Sequence, residues 1–280
     1  QGMNFSMQDT FNLGWKLAAV LRGQCAPQLL QSYSAERQPA AQALIDFDRE
    51  WAKMFSDRPK HGTEGADGSQ GVDPKEFQKY FERHGRFTAG MGTHYRPSMI
   101  CGEGTHQPLA TGFVIGTRFH SAPVLRISDA KPLQLGHAGK ADGRWRLYAF
   151  AGADDASLRA LCTFLEQAPD SPLRRYTRAG QDIDAVFDVR AIFQQDHREL
   201  AFETLPALLR PHKGRHGLID YEKVFCPDAK NGPDIFDQRG IDRAQGALMV
   251  VRPDQYIAQV LPLDAHRELA AFFDGFMLPN

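Results

Sequence analysis

Apolar positions Leu13, Leu17, Val20 and Leu21 recur at helical spacing until Gly23 interrupts them, which predicts an amphipathic helix at the head of the chain. A second helical pattern follows Pro27. Leu29, Leu30 and Tyr33 share one face, and beyond Pro39, expected to kink the helix, Leu44, Phe47, Trp51 and Met54 continue it. Two such helices with no strand cannot cover their stripes on each other alone, so they read as the tail of a larger domain whose stripes lack a partner here. The pattern then vanishes. From Ser56 to Glu76 there are four glycines and eight charged residues, the composition of a linker. Asp73-Pro74-Lys75-Glu76 has the N-cap, first-turn proline and capping-box glutamate of a short helix carrying Phe77, Tyr80 and Phe81 on one face, with Gly85 as its stop. Phe87 to Gly116 is rich in Gly and Pro without a sustained period and reads as an extended connection lying on a surface.

Beyond that connection, short apolar runs alternate with helical patterns. Trp145 to Ala151 predicts a buried strand, and Asp155 to Glu166 a helix with Leu158, Leu161, Cys162 and Leu165 inward. Ala185 to Phe193 predicts a second strand. Gly246–Arg252 and Tyr256–Leu261 predict a hairpin turned at Pro253-Asp254, and Asp264 is expected to cap a last helix striped by Leu269, Phe272, Phe273 and Phe276. Strand, helix, strand, hairpin and terminal helix is the order of a thioredoxin-like α/β domain.

Composition narrows the field. With 280 residues, 42% hydrophobic, the chain can build a real core, which excludes global disorder. Thirty-three basic against 34 acidic residues leave a net charge of -1, so no global basic field draws it to nucleic acid or to an anionic membrane. The head of the chain lacks a signal-peptide pattern, and a cytoplasmic location is expected. Cys25, Cys101, Cys162 and Cys226 are scattered without CxxC spacing, which argues against a disulfide scaffold and a structural metal site.

The stretches QGMNFSMQDTFNLGWKLAAVL and LLQSYSAERQPAAQALIDFDR resemble the end of the flavin domain of single-component FAD-dependent aromatic monooxygenases, the phenol hydroxylase and 3-hydroxybenzoate 4-monooxygenase group. HGRFTAGMGTHYRPS, GTRFHSAPV and VRPDQYIAQVLPL resemble that group's linker and its thioredoxin-like C-terminal domain, in the same order. The resemblance implies residues 1–55 as C-terminal helices of an FAD-binding domain, 56–115 as linker and short helix, and 116–280 as a thioredoxin-like domain without CxxC. It also implies a homodimer, FAD as cofactor, NAD(P)H as co-substrate, and O2-dependent hydroxylation of a phenolic small molecule. Gly2, Met3 and Asn4 match the segment that lies against the anionic edge of the flavin ring, with Asp9 and Asn12 as weaker supporting candidates. Physically, a glycine permits close approach and a helix start offers unpaired N–H donors to negative charge. The group's dinucleotide fingerprint and catalytic residues are expected upstream of Gln1, so the chain reads as a portion of an enzyme, not competent on its own.

Other constellations carry less. Cys162 sits two turns into a predicted helix on its apolar face, which suits packing better than a reactive thiol. His212 and His216 could chelate only on a helix, and Pro211 and Gly214 argue for a loop. Arg174, Arg175 and Arg178 around Tyr176 could hold an anion but read first as an exposed loop. Tyr95 and Arg96 could line a substrate channel or simply pack an extended segment. The alternative to an enzyme part is a non-catalytic thioredoxin-like dimerisation module.

Overall fold

The computed structural model describes residues 2–56, 78, 85, 89–228 and 230–279. Helix α1 spans Gly2–Leu21. It ends where Gly23 adopts φ +69° and the Gln24 amide reaches back to the Ala19 carbonyl (2.9 Å), a closure that glycine makes without steric cost. A short 3₁₀ turn opened by Pro27 leads into helix α2, Gln31–Ser56. α2 runs continuously through Pro39, as expected of a helix whose stripe resumes beyond it, although the proline forfeits one helical hydrogen bond. The buried Glu36 and Arg37, one turn earlier, anchor that stretch.

The expected linker lies outside the described residues apart from Ser56, the last residue of α2. Of the short helix after Asp73, only Gln78 and Gly85 are described. Both are helical, and Gly85 does not act as the stop, since its carbonyl still accepts from the Ala89 amide at 3.0 Å.

The remainder builds on a seven-stranded mixed sheet. Its strands are β1 (Pro123–Arg126), β2 (Lys131–Gln134), β3 (Trp145–Phe150), β4 (Phe187–Ile192), β7 (Val224–Pro227), β8 (Ala247–Val251) and β9 (Ile257–Leu261). They lie in the order β2-β1-β7-β4-β3-β8-β9, while β5 (His212–Lys213) and β6 (Leu218–Ile219) form a separate small hairpin. β3, β4 and β7 are mutually parallel, and the hairpins β1–β2 and β8–β9 add antiparallel margins on either side. Between β3 and β4 the chain forms α3 (Ala156–Gln167) and α4 (Pro172–Tyr176). A one-turn helix α5 (Ile235–Gln238) precedes β8, and α6 (His266–Asp274) closes the fold. Asp264 does not cap α6 with its side chain as expected; Ala265 occupies the cap position and no side-chain cap bond forms.

Both faces of this sheet are covered, and the two-residue period of the strands divides the core in two. Trp145, Leu147 and Ala149 of β3 point to one side, where they meet Leu158, Leu161 and Leu165 of α3, Phe273 and Phe276, and Trp15 of α1. Tyr148 and Phe150 point to the other, against Tyr95, Phe113 and Phe119 of the irregular connection and Phe236 of α5. That connection is stitched to β9 through Gly102 to Ala258 (2.8 Å) and Gly116 to Ile257 (2.8 Å). Gly116 is required there, because its φ is +82° and a Cβ would stand 2.2 Å from the Tyr95 carbonyl oxygen.

The predicted apolar stripe of α1 holds only in part: Val20 packs inward and Leu13 is half-buried. α1 turns Asn12, Trp15 and Lys16 inward, whereas Leu17 and Leu21 are exposed, Leu21 at 84%. The opening helices are therefore not unpartnered: Trp15, Ala19 and Val20 pack on the sheet-side core, and the turn after α1 is tied to the chain's end by Ala26 to Phe276 and Leu278 to Gln24, both 2.9 Å.

Candidate functional site

Gly2, Met3 and Asn4 form the first turn of α1, and all three are exposed. Beyond its chain neighbours and its own helix backbone, no heavy atom lies within 4 Å of where a Cβ on Gly2 would stand, and Met3 is 75% exposed. The opening N–H groups of a helix have no intrahelical acceptor, so the first turn of α1 carries free donors at the positive end of the helix dipole. On the adjoining flank of α1, Ser6, Thr10, Phe11, Gly14 and Trp15 line a cleft of about 670 Å³ facing Ala141–Gly143 and Pro253.

Asp9 and Asn12, the supporting candidates, are both engaged by other side chains. Asp9 accepts from Arg37 Nε at 2.5 Å. Asn12 is wholly buried; its Nδ2 faces Glu36 Oε2 (2.7 Å), the Tyr95 hydroxyl (3.3 Å) and Asp254 Oδ2 (3.4 Å), and its Oδ1 accepts from Lys16 Nζ at 2.7 Å. The centre of this network is Arg252, 1% exposed. Its guanidinium donates to both Glu36 oxygens (2.5 and 2.9 Å) and to both Asp254 oxygens (3.0 and 2.6 Å). Lys16 Nζ adds a bond to Glu36 Oε2 at 2.8 Å, and Trp15 Nε1 donates to Asp254 at 3.1 Å. Aromatic rings of Tyr95, Trp15 and Tyr256 stand 5.1–5.8 Å from the Arg252 guanidinium carbon. Three cations (Lys16, Arg37, Arg252) meet three carboxylates, of which Glu36 and Asp254 are buried and Asp9 is partly exposed.

The electrostatics follow from that crowding. Burial pushes the Glu36 carboxyl up, but Arg252 and Lys16 outweigh it and hold it at about 2. Burial and then the neighbouring Arg252 bring Lys16 down to about 8, Glu36 offsetting only part of this. Burial, reinforced by Tyr256, moves the Tyr95 phenol above its ordinary value. The hairpin turn that delivers Arg252 and Asp254 places Gln255 at φ +67°, a conformation that costs a non-glycine residue roughly 1–2 kcal/mol.

The remaining candidates fall outside this assembly. Cys162 is buried in α3 and burial raises its thiol to about 12; all four cysteines are free and buried. His212 and His216 occupy a hairpin turn, where the His212 ring meets the Gly217 carbonyl at 2.7 Å and His216 accepts from Arg215. Among the described residues no group of three or more His, Cys, Asp or Glu side chains could hold a metal ion. Arg175 pairs with Asp274 at 2.5 Å and Arg178 donates to the Arg22 carbonyl, while Arg174 is exposed and Arg96 lies at the surface. Lys16, Glu36, Arg252 and Asp254 had not been singled out. The signal was present: Asn12 and Lys16 stand one turn apart on the same face as Trp15, an arrangement that buries polar groups only if partners arrive from elsewhere.

The fold is thus that of a mixed α/β protein whose two opening helices dock on a sheet through buried charge. Residues 93–280 match the family model of the phenol hydroxylase C-terminal dimerisation domain, and residues 1–48 match that of an FAD binding domain. The chain belongs to the phenol hydroxylase family of FAD-dependent aromatic monooxygenases. It is 70% identical to 3-hydroxybenzoate 4-monooxygenase of Comamonas testosteroni over 99% of this chain and 44% of that protein. It is 32% identical to a phenol 2-monooxygenase of Aspergillus fumigatus over 98% of this chain and 45% of that one. The chain therefore spans less than half the length of these curated relatives. Among solved structures, the flavin-dependent monooxygenase PieE in complex with FAD and substrate aligns with a TM-score of 0.55 at 18% identity, over 98% of this chain and 45% of PieE. Aklavinone-11 hydroxylase aligns at 0.50 with 20% identity, over 96% and 39%. Among the described residues no helix is long and apolar enough to cross a membrane.

Proposed function

We propose that the chain is the C-terminal portion of a flavin-dependent monooxygenase that hydroxylates a phenolic substrate, 3-hydroxybenzoate or a close analogue, with NAD(P)H and O2. The 70% identity to 3-hydroxybenzoate 4-monooxygenase across 99% of this chain carries the reading. FAD, when bound and reduced by NAD(P)H, would pass those electrons to O2. What this chain contributes is placement: the exposed first turn at Gly2, Met3 and Asn4 would hold the anionic edge of the ring by backbone N–H donors, and Gly2 would leave room for close approach. The β4-β3-β8-β9 unit with α3 and α6 has thioredoxin-like order, but Gly152–Asp155, where a redox thiol would sit, holds no cysteine. That unit would act as a homodimerisation module, a role favoured by the matched domain's description. Four free, buried cysteines suit a reducing, cytoplasmic setting.

The test is a hybrid in which the N-terminal part of the Comamonas enzyme precedes this chain. It should purify yellow with stoichiometric FAD and oxidise NAD(P)H only when 3-hydroxybenzoate is present, whereas the 280-residue chain alone should be colourless in the flavin bands. A folded hybrid that holds FAD but ignores 3-hydroxybenzoate would overturn the substrate reading. A folded hybrid without FAD would overturn the cofactor reading.

A further inference from the structure

The buried network crosses the boundary between the two matched regions. Asp9, Asn12, Lys16, Glu36 and Arg37 lie within residues 1–48, whereas Tyr95, Arg252, Asp254 and Tyr256 lie within 93–280. The two regions share apolar contact at Trp15, Ala19 and Val20 and are also joined by a bidentate guanidinium–carboxylate pair at 2.5 and 2.9 Å, with both side chains 3% exposed or less. Such a pair is directional: it tolerates little rotation or slide, unlike an apolar contact of similar area. It grips α2 at Glu36, and through Asn12 and Lys16 it grips α1 at its third and fourth turns. Those turns are rigidly continuous with the first, so whatever fixes Asn12 also fixes Gly2–Asn4.

We infer that Glu36 and Arg252 are positioning residues: their pair locks α1 to the β8–β9 hairpin, so that the C-terminal domain sets where the donor-bearing first turn of α1 points. This rests on the proposed role of that turn, because donor geometry matters most where a ligand must be met within a fraction of an ångström. The local strain at Gln255 accords with it, since the turn is held in a costly shape that keeps Asp254 and Arg252 inside the network.

The experiment compares the full 280-residue chain with its Glu36→Gln and Glu36→Gln/Arg252→Met variants by amide hydrogen exchange. The single variant leaves excess buried positive charge and could destabilise the whole fold, whereas the double variant removes one buried charge of each sign and keeps the native balance. In the double variant the amides of Ser6–Thr10 should exchange at least about tenfold faster while those of β3 and β4 stay within about twofold. Unchanged Ser6–Thr10 exchange in the double variant, or an equal rise throughout the sheet, would overturn the lock. The same substitutions in the FAD-loaded hybrid separate the two claims. There, loosened α1 amides with a shifted visible circular dichroism of the flavin support both. Loosened amides with an unaltered flavin signal uphold the lock and overturn the assignment of Gly2–Asn4 to the flavin edge.

Discussion

Lys16 and Glu36 show how one buried environment moves two groups with opposite consequences for pH. The Glu36 carboxyl titrates at about 2 in the folded chain against an ordinary 4.5, so its contribution is fully present above pH 4.5 and is lost as pH falls toward 2. A shift of that size corresponds to on the order of 3 kcal/mol. Lys16 runs the other way. At about 8 against an ordinary 10.5, the folded chain releases this proton before the unfolded chain does, so stability rises with pH across that window. Urea unfolding of the native chain, Glu36→Gln and Lys16→Met at a series of pH values checks both. The difference between native and Glu36→Gln should shrink between pH 4.5 and 2, and the rise between pH 8 and 10.5 should be missing from Lys16→Met. Profiles that merely run parallel to the native one would remove these two side chains as the source.

Strand β4 carries a second buried charge cluster, independent of the first. Asp188 lies between Arg190 (2.9 Å), Arg146 of β3 (3.0 Å) and Lys223 beside β7 (2.6 Å), and Asp184 joins through Lys223 (2.8 Å), Lys213 (2.7 Å) and Arg144 (3.1 Å). Burial works against the Asp188 carboxylate, yet Arg190 and Lys223 hold it well below the usual range. Asp188→Asn keeps the shape but strands cations in the interior, and should cost about 3–5 kcal/mol, read as a fall in the urea midpoint. A loss below about 1 kcal/mol would mean that water or Asp184 already neutralises these cations. The same element scale explains what the sequence disclosed. β3, β4, α3 and the β8–β9 hairpin are long apolar runs bounded by turn residues, and each was legible to within about two residues. β1, β2 and β5–β7 were not, because Lys131-Pro132 and His212-Lys213 have no alternating period and four-residue or shorter strands pair only through neighbours distant in the chain. The inward face of α1 was misread in part for a related reason. Its buried side is polar, and the partners that make burial affordable, Glu36 and Arg252, stand 20 and 236 positions beyond Lys16. The proposed flavin-edge role of Gly2–Asn4, by contrast, rests on resemblance alone, since Gly-Met-Asn at a helix start has no period at all.

At the scale of the whole molecule, the exposed side of α1 remains to be accounted for. Met3, Met7, Phe11, Leu17 and Leu21 are all exposed along one helix, beside the cleft at Ala141–Gly143 and Pro253. Contiguous apolar surface of this kind favours association, and the matched C-terminal domain is described as a dimerisation domain. The 280-residue chain is therefore expected to be at least dimeric in solution, with α1 contributing. Truncating the opening helices is a poor test, because removing them would leave Arg252 and Asp254 without Glu36, Asn12 and Trp15 and would uncover part of the sheet core. Charged substitutions on the outward face avoid that damage. Met7→Glu/Phe11→Lys touches none of the buried network and leaves the net charge unchanged. Light scattering and sedimentation of the native chain should give at least twice the monomer mass, and the variant should dissociate at about tenfold higher concentration or more. A monomeric native chain would sink the association claim. If the variant instead matches a dimeric native chain at every concentration, association belongs to the sheet domain alone, and the outward face of α1 plays no part in it.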